Sequence, residues 1–377
     1  MNEIYKDLIY LLSCAVNGIT PEASKVQAMD IENIYRLAKS HTVRAAVCIA
    51  LDRAGIKDKQ FHESHMKAIR KNIYLDVERK AITKTFEENK IWYMPLKGVI
   101  LKEIYPETGM REMSDNDILY DASMQKKVKQ IMLKKGYKAV SVGKAHHDEY
   151  TKPPVLNFEL HTVLFGKHHA EPLYKYYEDT KRLLCKDEDN NYGYHLSDED
   201  FYVFMTAHEW KHYDNSGTGI RSLLDCYVYC RNKGDDLDWN YITDQCRQLK
   251  IDDFEYKRRQ LALKVFSSDK LPELNGSETD MLLFYLTSGT YGTAKNFAEK
   301  DIAKAMAESK HKSKVLYILR YIFPKKEHME VWFPFFYKHK LLLPIGYIWR
   351  WIRGISTRRR FIRAKLNVLK NYDTKKK

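Results

Sequence analysis

Apolar residues recur at helical spacing early in the chain, as at Ile31, Ile34, Leu37 and Ala38 and more loosely at Leu75, Ala81 and Phe86, so residues 1–90 are expected to be helical. Thr20-Pro21-Glu22 reads as a helix start, a hydroxyl cap followed by proline in the first turn. From Ile91 the pattern changes to short alternating runs. It predicts a strand over 91–96, a helix over about 98–105 stopped by Pro106, a Gly/Arg loop over 106–114 and a strand over 115–120. A helix over about 123–135 ends at Gly136, and strands follow over 137–142, 147–151 and 155–163. Ser197-Asp198-Glu199-Asp200 has the chemistry of a helix start, and helical spacing then continues to about 290, with connections at Leu271-Pro272 and Asn275-Gly276. The chain therefore reads as an α+β protein in four segments. These are a helical region over 1–90, a catalytic α/β domain with a mixed sheet over 91–195, a helical domain over 196–310 and a basic, aromatic C-terminal segment over 311–377.

Charge changes the picture in one place. The formal net charge of the 377 residues is +14, but residues 311–377 hold 18 Lys+Arg against 3 Asp+Glu, which leaves the other 310 residues near neutrality. The basic excess thus belongs to the C-terminal segment. Trp332, Trp349 and Trp351 lie there among Arg350, Arg353, Arg358, Arg359 and Arg360. That mixture suits an anionic membrane surface, with a polyanion such as RNA as the weaker fit and a core helix with a solvated basic face as the plain reading. The short apolar run from Leu341 to Trp349 favours the membrane of these. No run reaches the roughly 20 apolar residues of a membrane span. Leu11-Leu12-Ser13-Cys14 loosely matches a lipoprotein cleavage site, but Glu3 and Asp7 precede it and no basic start does, so lipidation is not expected. The six cysteines form no Cys-x-x-Cys pair and read as reduced core residues of a cytoplasmic protein.

The candidate chemistry centres on Asp115-Asn116-Asp117, which runs into the apolar strand Ile118-Leu119-Tyr120. Side chains two apart on a strand share a face, so the two carboxylates can hold one or two hard divalent cations. Upstream, Met94-Pro95-Leu96-Lys97-Gly98 reads as a strand entering a Lys-Gly turn and then a helix, an arrangement that presents backbone N–H groups to anions. The plain reading of the aspartates is a solvated strand end.

Taken together, Leu96-Lys97-Gly98, Tyr105-Pro106, Arg111, Asp115-x-Asp117 and Phe158-Glu159-Leu160-His161 resemble the uncharacterised bacterial nucleotidyltransferase family of the polymerase-beta-like superfamily. His208, Lys211-His212, Arg221, Asp225 and the Phe333-Pro334 to Pro344 region resemble it too, so the likeness spans roughly residues 80–350. It implies a minimal catalytic mixed sheet flanked by N- and C-terminal helical regions. It also implies a Mg2+ or Mn2+ cofactor held by Asp115, Asp117 and Glu159, and transfer of an NMP from an NTP, ATP first, to an unidentified acceptor with release of pyrophosphate. Lys97 and Gly98 would form the nucleotide-side turn, with Arg111 as a phosphate clamp. His161, His208, Lys211, His212, Arg221 and Asp225 are candidates for the acceptor side. The chain departs from most of the superfamily in carrying Lys-Gly where Gly-Ser is usual. The cysteine usage points to a cytoplasmic location, and the basic aromatic segment over 311–377 to a peripheral one at the inner membrane face.

Two further readings compete. The same fold could serve as a non-catalytic membrane- or polyanion-binding module. His208-Glu209-Trp210-Lys211-His212 matches His-Glu-x-x-His, the zinc metalloprotease helix, although no third ligand follows at a familiar offset. Arg221 and Asp225, four residues apart on one helix, could simply pair with each other. His146-His147 and His168-His169 read as loop residues.

Overall fold

The computed structural model describes residues 1–143, 146–167, 169–307, 314–324, 329–330, 333–357 and 359–371. The chain divides into two compact units, Met1–Lys211 with Gly219–Thr290 and His212–Thr218 with Tyr291–Lys377.

Five helices precede the sheet: α1 (Glu3–Asn17), α2 (Ala23–Gln27), α3 (Ile31–His41), α4 (Arg44–Arg53) and α5 (Lys59–Glu88). The side chains of Asn2, Asp30 and Asp58 cap α1, α3 and α5 by accepting backbone N–H groups of the first turn. The helix expected at Thr20-Pro21-Glu22 begins later, at Ala23. Glu22 stands at its cap and donates its backbone N–H to the Tyr10 hydroxyl at 2.8 Å, so a long-range bond replaces the local hydroxyl cap.

The sheet has the order β1-β2-β5-β4-β3, with β1 (Tyr93–Pro95), β2 (Asn116–Tyr120), β3 (Lys138–Ser141), β4 (His147–Lys152) and β5 (Leu156–His161). β2 and β5 are parallel, and the other pairs are antiparallel. Between the strands lie α6 (Gly98–Leu101), extended by a 3-10 turn to Ile104, and α7 (Gln125–Lys134). Gly136 follows α7 in the left-handed conformation, φ 82°, and so ends it.

Strand alternation sorts the sheet into two faces. Ile118, Tyr120, Tyr150, Phe158 and Leu160 pack in one core with Leu75, Ile82 and Phe86 of α5 and Val128 and Met132 of α7. Asn116, between the two aspartates, belongs to this covered face. Its amide is fully buried, donates to Leu75 O at 2.8 Å and accepts from Arg79 Nη1 at 3.4 Å, which satisfies a polar group in the core. Asp117, Glu159 and His161 are left on the opposite face.

After the sheet come α8 (Glu171–Tyr176), a two-stranded ribbon of β6 (Leu184–Lys186) and β7 (Tyr194–Leu196), and the helices α9 (Asp198–Tyr213), α10 (Ile220–Lys233), α11 (Trp239–Gln248), α12 (Asp252–Phe266) and α13 (Gly276–Ser288). Ser197 Oγ accepts from Asp200 N at 3.1 Å, as its sequence suggests. Asn275-Gly276 is not a bare connection: Asn275 and Glu278 form a reciprocal capping box that starts α13.

The second unit contains α14 (Ala294–Ala307), α15 (Lys314–Ile322), α16 (Pro334–Lys338), α17 (Leu343–Thr357) and α18 (Arg359–Asn371). Its small core gathers Ile302, Met306, Tyr317 and Leu369, and Asp301 Oδ2 accepts from both Tyr317 Oη and Lys365 Nζ.

Candidate active site

The site is built on the open face of the sheet, starting from the turn between β1 and α6. Leu96 N donates to Asp117 O at 2.9 Å, which holds the end of β1 against β2. Lys97 then takes φ 34° and ψ −94°, a conformation sparsely populated by residues with a side chain. A Cβ at Gly98 would lie 2.8 Å from Met113 Cε and 3.1 Å from Arg111 Nη1, so glycine lets both side chains pack against the turn without moving. The strained Lys97 projects its Nζ to 2.8 Å from His208 Nε2 and 3.7 Å from Asp117 Oδ2.

The loop 106–114 carries the chain back to β2 and is tied down along its length. Gly109, at φ 85°, packs against Ile69 of α5. Glu112 accepts from the backbone N–H groups of Arg44 and Ala45 and from Arg44 Nη2 at 2.7 Å, so it caps α4 from outside the helix. Arg111 donates Nε and Nη2 to the two carboxylate oxygens of Asp225 on α10, at 2.8 and 2.9 Å. Tyr105 Oη donates to the same carboxylate at 2.7 Å. Asp225 is thus engaged by Arg111 and Tyr105, and Arg221 Nη1 donates to Glu112 O at 3.2 Å. Arg111 is buried under Gly98 and held by Asp225, in a position to support the turn.

Parallel pairing of β2 with β5 sets Asp117 opposite Glu159 in register, and antiparallel pairing of β5 with β4 sets His161 opposite His147. Single ligand atoms of Asp117, Glu159 and His161 lie within 4.8 Å of one another. His161 Nε2 lies 3.1 Å from Asp117 Oδ1 and 3.9 Å from Glu159 Oε2. Asp115 stands just before β2, accepts from Ser114 Oγ at 2.8 Å, and joins the cluster by charge.

Crowded carboxylates resist ionisation. Burial, then Asp117 and Asp115, push the Glu159 carboxyl up to about 8. Burial and Asp117 raise Asp115 as well. Burial also opposes the charge on Asp117, but Lys97 and His161 outweigh it and hold this carboxyl below the usual range. Across the pocket, burial and Lys97 pull the Lys211 ammonium down to about 7. Burial likewise lowers Lys71 of α5 against the attraction of Asp115.

The structure thus brings together Lys97, Asp115, Asp117, Glu159, His161, His208 and Lys211. Arg111 and Asp225 form a buried support behind the Lys97-Gly98 turn, whereas Arg221 is half-buried and its charge favours the ionised Asp115. His212 belongs to the second compact unit. His147 and Lys71 were not among the expected site residues. The alternation over 147–151 carries the signal for His147, which opens β4 and is not a loop residue. Nothing in the spacing of α5 singles out Lys71. His168 lies outside the described residues, as do Trp332, Arg358 and residues 372–377.

The zinc-protease reading of the His208 helix does not hold. Glu209 is turned into the helical core, where Oε2 accepts from Arg258 Nη1 at 2.8 Å and Oε1 accepts from Tyr285 Oη at 2.6 Å. A carboxylate so enclosed cannot activate a water at a metal on the surface of the helix. Among the described residues, no cluster with metal-ligand spacing includes His208 or His212.

Searches among curated proteins and among solved structures return no match. A family model described as uncharacterised nucleotidyltransferase matches residues 27–267. The match takes in α3 to α5, which precede most of the resemblance expected over 80–350, and it stops before the Phe333-to-Pro344 region. It contains the mixed sheet and every residue of the pocket described above. Family membership supports a general role in nucleotidyl transfer, and divalent metals generally serve such enzymes. The chain belongs to the uncharacterised nucleotidyltransferase family.

Proposed function

We propose that this protein transfers a nucleoside monophosphate from an NTP, ATP first, to an acceptor hydroxyl, releasing pyrophosphate. The observation that carries the reading is the register of Asp117 with Glu159 on adjacent parallel strands, one face of the sheet presenting both carboxylates beside Lys97. The residues fit a hard dication. Glu159 is pushed up to about 8 by burial and by Asp117 and Asp115, so a cation is the natural partner that would let all three carboxylates ionise together. Asp115, Asp117 and Glu159 would hold Mg2+ or Mn2+, which when bound neutralises charge on the attacking and leaving oxygens.

The remaining roles follow from positions. Lys97 can leave Asp117 for a phosphate oxygen, since its Nζ sits between that carboxylate and His208. His208, accepting from the ammonium, keeps it aimed into the pocket. His161 holds Asp117 at one oxygen and leaves the other to a cation. Lys211, pulled down to about 7, can exchange a proton with the acceptor near neutral pH. Arg111 is assigned to shaping the turn through Asp225 and not to direct phosphate contact. The test is label transfer from α-labelled NTPs to components of a cell extract, compared between the wild type and Asp117→Asn.

The second unit supports an accessory proposal, attachment to an anionic membrane surface. Leu341, Ile345, Ile348, Trp349 and Ile352 are all more than half exposed and recur at helical spacing along α17 and the turn before it. No described helix is long and apolar enough to cross a membrane. An exposed apolar stripe on a strongly basic segment suits the interface of an anionic bilayer. Sedimentation with phosphatidylserine vesicles tests it.

A further inference from the structure

Beside the carboxylates the sheet carries a second group of ligands with different chemistry. His147 of β4, His146 immediately before it and His161 of β5 each place one ring nitrogen within 4.8 Å of the others. His147 Nδ1 lies 3.3 Å from His146 Nε2. Two imidazoles on one zinc ion, at about 2.1 Å each and tetrahedral angles, stand about 3.4 Å apart. The His146–His147 edge already has that length, and the others, at most 4.8 Å, close with shifts of no more than about 1.4 Å, within reach of imidazole rotations.

His161 supplies the second observation. Its side chain is 7% exposed, and Nδ1 makes no hydrogen bond among the described residues. Its other nitrogen faces the Asp117 carboxylate at 3.1 Å. An imidazole that gives one N–H to a carboxylate and offers the other nitrogen is the usual state of a metal-bound histidine, since the carboxylate fixes the tautomer and strengthens the ligand. Packing of His146 against His147, His161 and His169, with ring centroids 4.6, 5.6 and 4.9 Å apart, keeps the imidazoles together at the edge of the carboxylates, where Glu159 Oε2 lies 3.8 Å from His147 Nε2 and 3.9 Å from His161 Nε2.

We propose that His146, His147 and His161 bind a zinc-class transition-metal ion at the edge of the carboxylate pocket, a group that shares His161 with that pocket and differs from it in its other ligands. Three imidazoles select zinc, nickel or cobalt and discriminate against magnesium, which takes oxygen ligands. Asp117 touches both groups through His161, so an ion at the histidines would hold His161 with its proton toward Asp117 and thereby orient that carboxylate. The assignment does not depend on the nucleotidyl-transfer reading, because its readout is metal binding alone.

The test uses the full-length protein stripped by chelator, titrated with Zn2+ by calorimetry and with Co2+ by its ligand-field spectrum, in excess Mg2+. His146 belongs only to the histidine group and Glu159 only to the mixed group with Asp117, so the two variants separate the sites. One ion is expected per chain, with Co2+ bands of nitrogen ligation that survive Mg2+. Binding should weaken about tenfold or more in His146→Ala and in His147→Ala, and persist in Glu159→Gln. Circular dichroism of each variant confirms that it is folded. Absence of binding by the wild type, or unchanged affinity in folded His146→Ala, would overturn the proposal.

Discussion

Replacing Asp225 by asparagine tests how the Lys97-Gly98 turn is supported. Asp225 and Arg111 are both at least nine-tenths buried and share two N–H···O bonds, with Tyr105 donating a third to the same carboxylate. Burial disfavours the charge on Arg111, and Asp225 more than offsets it. At charge centres about 4 Å apart and an effective dielectric near 20, the attraction is about 4 kcal/mol. Asparagine keeps the shape but loses the charge and must turn its NH2 toward one donor. The guanidinium is then left buried without a counter-ion, for a cost of about 3–5 kcal/mol. At a urea slope of about 3 kcal/mol per M, the unfolding midpoint should fall by about 1–1.7 M with the slope unchanged. Equilibrium urea unfolding followed by circular dichroism measures this. The paired change Arg111→Met with Asp225→Leu should recover most of the loss, because neither charge then remains. A midpoint shift below about 0.3 M for Asp225→Asn would show that water reaches the pair, and the argument for a rigid buried support would fail.

Other consequences are equally measurable. Glu209→Gln should destabilise the protein by about 3–5 kcal/mol through the stranded Arg258 in the same unfolding assay, whereas a protease base would be replaced with little change in stability. His41 is buried neutral, with Nδ1 accepting from Ile220 N and Nε2 donating to Leu286 O, and burial pulls its pKa down from 6.5 to about 4. Its unfolded form therefore takes up the proton first as pH falls. Stability is full above 6.5 and declines between 6.5 and 4, by about 3 kcal/mol in all, a slope that His41→Gln should remove from the pH dependence of the unfolding free energy. Ile348→Glu with Trp349→Glu should weaken phosphatidylserine vesicle binding at least about tenfold, while equal binding by both proteins would place the contact elsewhere.

Most of the sheet was legible before the structure, because β2 and β5 carry apolar residues at two-residue spacing and Pro106 and Gly136 mark where the helices between the strands stop. The same period placed Asp115 and Asp117 on one face. What local pattern could not carry was pairing over long distance. Asp225 lies 114 residues from Arg111, and nothing near Asp225 says that it will choose that arginine over Arg221, one helical turn away. Glu209 could not be told from a catalytic base until Arg258 and Tyr285 were seen around it. The β6–β7 ribbon escaped notice because its strands span three residues each, too short to show a period. His146 read as a loop residue for a sound local reason, since it does precede the strand. Only the register of β4 with β5 brings it beside His161.

The central claim is that the Asp117–Glu159 face transfers nucleotides. Its most direct measurement is the rate of label transfer from α-labelled NTP, with Mg2+ or Mn2+, by wild-type protein and by Asp117→Asn at equal concentration. The account predicts transfer by the wild type and a loss of about a hundredfold or more in the variant, equivalent to about 2.7 kcal/mol of transition-state stabilisation. Full-rate transfer by Asp117→Asn, with the variant folded and metal-dependent as before, would contradict it.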